Sequence, residues 1–120
     1  MALTLNGTMV FDDGEFPEES LQVTDLAVTL TSDKFIKGQL SITSSESAIP
    51  LGGVTSLGFI FVMNEDDTNT LYLRTGTGGN RFGKVAPGRF GMFEFGPDVT
   101  APYWISSADT ISIRYLLASS

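Results

Sequence analysis

Gly78-Gly79-Asn80-Arg81-Phe82-Gly83-Lys84 has the spacing of a phosphate-binding loop, G-x4-G-K. In such a loop backbone N–H groups cradle the phosphates, the lysine reaches the terminal ones, and a following Ser or Thr holds magnesium. Here Val85 follows the lysine, and Ala86-Pro87-Gly88 turns the chain where a helix would have to begin. Without that helix no dipole or row of amides faces an anion. The stretch reads as a glycine-rich hairpin. Asn64-Glu65-Asp66-Asp67-Thr68-Asn69 sets several oxygen ligands in a row. It lacks the mid-loop glycine and terminal glutamate of a helix-loop-helix calcium site. It is expected to be a β-turn whose Asn and Asp side chains bond the backbone.

Acid–base pairs fare no better. Glycoside hydrolysis needs two carboxylates across a cleft, and no pair among the fourteen acids stands out by context. Asp109-Thr110 opens like an aspartic-protease motif, but Ile111 stands where glycine is needed. Asn6-Gly7-Thr8 is a glycosylation acceptor only in a secreted chain.

Histidine and cysteine are both absent from the 120 residues. Imidazole is the side chain that titrates near neutral pH and the commonest metal ligand, while thiolates supply nucleophiles, soft metal sites and disulfides. Ser-His and Cys-His nucleophiles, zinc sites and disulfide frameworks are therefore excluded. The expectation is a chain with no catalytic residues, no cofactor and no metal centre, acting as a scaffold or a binding surface.

Its aromatics are the remaining candidates. Tyr103 and Trp104 follow Pro102, and adjacent strand residues face opposite ways. One of the two is thus expected at the surface, as a contact for a partner or a glycan. Phe82, Phe90, Phe93 and Phe95 are expected to feed the core.

Charge narrows the partner. The net charge is −7, and the seven acids Asp12, Asp13, Glu15, Glu18, Glu19, Asp25 and Asp33 all precede the first base, Lys34. Phosphate binding requires a concentrated Lys/Arg surface, so nucleic acid is not expected. Arg74, Arg81, Lys84 and Arg89 cluster in sequence but are interleaved with glycine, as on a solvated hairpin edge. No apolar run reaches membrane-spanning length, and MALTLNGTMV lacks the basic and long apolar regions of a signal peptide. Assembly in a cytoplasm is the expectation.

The elements that must position these residues are strands. Ile111, Ile113, Tyr115 and Leu117 fall on one face of the last segment, with Ser112 and Arg114 on the other. Leu21 and Val23 alternate, and Leu26, Val28 and Leu30 do so in the opposite phase, which predicts a bulge around Asp25. Leu57–Met63 is apolar on both faces and is expected to be central and covered on each side. Further strands are predicted over Phe35–Thr43, Thr70–Thr75, Arg89–Phe95 and Ala101–Ser106. Turn signals separate them at Asn6-Gly7, Asp13-Gly14, Gly52-Gly53, Asn64–Asn69, Gly76–Asn80, Pro87-Gly88 and Gly96-Pro97. Only Asp13–Ser20 could hold a turn of helix. Eight or nine short strands predict an all-β chain, a single antiparallel β-sandwich over residues 1–120, jelly-roll-like.

From Gly58 onward the chain runs GFIFVMN-EDDTN-TLYLRTG, a glycine loop, FGKVAPGRFGMFEF and APYWISSADTISIRYLLA. This order resembles small virion proteins of tailed bacteriophages. They share a strand ending in Asn-x-Asp-x-Thr-Asn, a K-x-x-P-G turn before an apolar strand, and a final A-D-T-I-x-I-x-Tyr-Leu strand. The resemblance covers roughly the last 60 residues and implies a structural virion component of β-sandwich type. With no chemistry in the residue inventory and a length suited to an accessory domain, a capsid decoration or cement protein is expected. It would contact the major capsid protein or other virion proteins as a homo-oligomer, a trimer by the symmetry of attachment points. The alternative is a carbohydrate-binding or tail-, neck- or fibre-associated module, resting on Tyr103 and Trp104.

Overall fold

The computed structural model describes residues 3–11, 21–30, 34–54 and 57–119. The chain divides into two compact units, residues 1–33 and 34–120. The described residues form strands joined by turns, with no helix. Asp13–Ser20 lies outside them, as does Asp13-Gly14.

In the first unit β1 (Leu3–Phe11) pairs antiparallel with β2 (Leu21–Leu30). Gly7 pairs with Leu26 and Met9 with Val23, so β2 carries one extra residue across Thr24-Asp25. This is the bulge that the reversed alternation predicts. Its effect is visible in the register, where Leu3, Leu5, Gly7, Met9 and Phe11 stand opposite Leu30, Val28, Leu26, Val23 and Leu21. Asn6-Gly7, expected as a turn, lies inside β1.

The second unit is a β-sandwich of two four-stranded antiparallel sheets. Its strands are β3 (Phe35–Ile42), β4 (Ser47–Ala48), β5 (Leu57–Asn64), β6 (Leu71–Arg74), β7 (Arg81–Val85), β8 (Phe90–Glu94), β9 (Tyr103–Ser106) and β10 (Ile111–Ser119). One sheet has the order β3-β10-β5-β8 and the other β4-β9-β6-β7. Counted within this unit, the orders are 1-8-3-6 and 2-7-4-5, which is jelly-roll connectivity. Only the β6–β7 hairpin stays within one sheet; the other connections between successive strands cross from sheet to sheet.

The core is the space between the sheets. Ile60, Val62, Ile113 and Leu117 of the first sheet meet Leu71, Leu73 and Trp104 of the second, all fully buried. Burying each such side chain contributes about 1.5–3 kcal/mol. Trp104 stacks edge-on against Tyr115, with ring centroids 5.4 Å apart. Tyr115 in turn lies over Gly38 of the neighbouring strand, where a Cβ would come within 3.2 Å of its ring.

The open side between edge strands β7 and β8 is closed by Phe82, Phe93 and Phe95. The Phe93 ring occupies the space left by two glycines, Gly83 and Gly91, where Cβ atoms would approach it to 2.6 and 2.7 Å. Pro87-Gly88 turns β7 into β8: Arg89 N–H donates to Ala86 C=O, and Gly88 takes φ +69°. A side-chain-bearing residue would be strained there.

Two core expectations are corrected. Leu57–Met63 is central in its sheet, but only one face is fully covered. Ile60 and Val62 are sealed inside, whereas on the opposite face burial falls from Phe59 through Phe61 to Met63, which is 38% exposed. Phe90 does not feed the core; it stands opposite Met63 on edge strand β8 and is 55% exposed. Edge strands have a neighbour on one side only, and the Phe90 ring lies beside Phe61, centroids 5.8 Å apart.

Candidate functional site

The Asn64–Asn69 segment spends its oxygens on the backbone. Asp66 Oδ2 accepts the N–H groups of Asn69 and Thr68 at 2.6 and 2.9 Å. These two bonds, Asn69 first, hold the Asp66 carboxyl below the usual carboxylate range. Asn64, fully buried, donates its Nδ2 to Asn69 C=O and Val85 C=O and accepts the Asp66 N–H at Oδ1. Its own N–H and C=O bond Arg89 C=O and Gly88 N–H. The side chain thus ties the end of β5 to the end of β7 and to the loop after β5, and the backbone of the same residue ties it to the β7–β8 turn. Among the described residues no group of three or more acids gathers in metal-ligating geometry.

The glycine-rich stretch is the β6–β7 hairpin, with strand rather than helix after Lys84. Its turn is held from an unexpected quarter. Glu46, just before β4, accepts the Gly78 N–H on its carboxylate at 2.9 and 3.1 Å and pairs with Arg74 Nη1 at 2.7 Å. Arg74 Nε is buried with no acceptor among the described residues.

Tyr103 and Trp104 separate as strand alternation requires. Trp104 points inward and is 1% exposed, so it offers no face to a glycan or a partner. The contact expected of the pair is left to Tyr103, half-buried on the outer face of β9. There it is directly opposite Arg74, while Ile105 is opposite Tyr72, which is in turn opposite Lys84.

A bulge completes this outer face. Leu73 pairs with Gly83 but Arg74 with Arg81, leaving Phe82 as the extra residue in β7. Phe82 packs against Phe93 and Gly83 lies beneath the same ring, so two successive residues face inward and Arg81 is returned to the outer face. Its guanidinium lies over the Tyr72 ring, 3.9 Å from the centroid, a cation–π contact. Neither Arg81 nor Lys84 has an ion-pair partner among the described residues. With Arg74 paired to Glu46, Arg81 and Lys84 make this face cationic among the described residues.

That local sign differs from the whole chain's. All seven bases lie beyond residue 33, together with seven acids, so residues 34–120 sum to zero and the net −7 belongs to the first 33. The sequence clusters Arg74, Arg81 and Lys84 but gives no signal for Tyr72 or Glu46, which come to the face through β6 alternation and the approach of β4.

The outer face of the first sheet is different. The β10–β5–β8 register sets Leu116, Phe61 and Met92 in one row and Arg114, Met63 and Phe90 in the next. Glu65 borders it, paired with Arg114 at 3.0 Å and accepting from Gln39. It is an apolar surface with a polar rim, and no arrangement on it resembles a catalytic constellation. Comparison with protein-family models, with curated proteins and with solved structures finds no match to this chain.

Proposed function

We propose that this is a non-enzymatic virion structural protein of a tailed bacteriophage, a decoration or cement protein attached to the capsid shell as a homo-oligomer, a trimer. The observation that carries the reading is the apolar outer face around Phe61, Met63 and Phe90 on a jelly roll. Large apolar side chains exposed together, rimmed by charge, mark association surfaces. Repetition on a symmetric particle multiplies weak contacts of this kind. The virion assignment itself rests on the resemblance of the last 60 residues, and the jelly roll adds a fold-level analogy with capsid domains.

Cryo-microscopy of purified particles tests it. Hundreds of copies on the shell, three-fold arranged, are expected; a few copies at a vertex or along the tail would move the protein to a neck, tail or fibre. Absence from particles would overturn the virion reading. The carbohydrate-binding alternative loses Trp104 to the core and keeps only Tyr103 of its two expected contacts.

A further inference from the structure

We infer that the outer face of the β4-β9-β6-β7 sheet is a binding site for an acidic polysaccharide, with Arg81 receiving a carboxylate and Tyr103 and Lys84 flanking it. The inference does not depend on where the protein resides in a particle. Three features of the face converge on it. Arg81 is exposed, yet its guanidinium is held over Tyr72, and it has no acidic partner among the described residues. A planar fork held in this way presents paired N–H donors matched to a carboxylate. Little of its side-chain entropy is left to lose on binding.

Lys84 stands directly opposite Tyr72 on the adjoining strand and adds a second cation with no ion-pair partner among the described residues. Tyr103 stands opposite Arg74 on the other neighbouring strand, half-buried, and supplies both a ring and a hydroxyl. Neighbouring strands lie about 5 Å apart, so the three residues span a distance on the scale of one or two sugar rings. Cations beside an aromatic ring suit a ligand bearing both carboxylates and apolar C–H faces, which a uronic-acid polymer does.

The base of the site is rigid. Glu46 fixes Arg74 and the Gly78 turn together, and Leu71, Leu73 and Trp104 anchor the inner side of the same strands in the core. The Glu46 charge is engaged by Arg74 at 2.7 Å, which leaves Arg81 and Lys84 to set the sign of the surface.

Titration calorimetry of the full chain with oligogalacturonate, at low and at physiological salt, tests the site. Binding is expected, with neutral dextran showing none. Arg81→Ala and Lys84→Ala remove exposed side chains with no ion-pair partner among the described residues and should leave the thermal melt essentially in place. Arg81→Ala is expected to weaken affinity roughly tenfold or more, and Arg81→Lys to restore only part of it, because the charge returns without the fork. Tyr103→Ala should weaken it as well. Arg89→Ala, removing an exposed cation next to β8 of the other sheet, should leave affinity unchanged. Equal losses from Arg89→Ala and Arg81→Ala would reduce the effect to general charge and overturn the inference. So would the absence of binding, or equal affinity for poly-glutamate, which would make the face an acidic-peptide site instead.

Discussion

Asn64 shows what a single buried polar side chain can hold. Its amide nitrogen serves two carbonyls from different parts of the chain, Asn69 and Val85, and its oxygen serves the Asp66 N–H. Asn64→Ala leaves these groups without their partner, and the expected loss is roughly 2–4 kcal/mol by chemical denaturation. Asn64→Asp should be worse despite its shape, since an acceptor would then face two carbonyls. Asp66 carries a pH dependence. Backbone N–H groups of Asn69 and Thr68 favour its ionised form and lower its folded pKa. The stability it contributes is therefore complete above the unfolded carboxylate value, near pH 4, and is lost as pH falls through the lowered folded value. Asp66→Asn should flatten that acid limb, as read from thermal midpoints measured between about pH 2 and 6.

At the scale of the element, the edge strands β7 and β8 depend on one ring and two glycines. A methyl group at Gly83 or Gly91 would come to 2.6 or 2.7 Å from Phe93. Gly83→Ala and Gly91→Ala are each expected to cost about 1–3 kcal/mol through overpacking. Gly96→Ala, where a Cβ meets nothing within 4 Å, should be close to neutral. Combining Gly83→Ala with Phe93→Leu should cost less than the two single losses added, because the smaller side chain makes room for the methyl. A double-mutant cycle on denaturation midpoints measures this.

At the scale of the molecule, the two units differ in what they can sustain alone. Residues 34–119 contain every strand of the sandwich and a shared core around Trp104. The described part of the first unit is a two-stranded ladder, and isolated hairpins are marginal in water. A 34–120 fragment is expected to melt cooperatively, with the blue-shifted emission of a buried tryptophan. A 1–33 peptide alone should show no cooperative melt by circular dichroism. Trp104→Ala in the full chain should cost about 3–5 kcal/mol.

By itself the sequence determined whatever depends on neighbours along the chain. Alternation located most of the sandwich strands, the reversed phase at Asp25 located the bulge in β2, and Pro87-Gly88 located its turn. The missing histidine and cysteine bounded the chemistry without reference to any fold. The short strand β4 and the bulged β7 were not legible, because two residues are too few for a period and a bulge breaks one. Alternation also says that Tyr103 and Trp104 face opposite ways but not which of them faces inward. Only the packing of one sheet on the other decided that, sending Trp104 to Tyr115 and Tyr103 to the surface. The same holds for Phe90, which edge position leaves exposed, and for Glu46 with Arg74, 28 residues apart in the chain. Such pairings form when the chain closes on itself, and no local pattern encodes them.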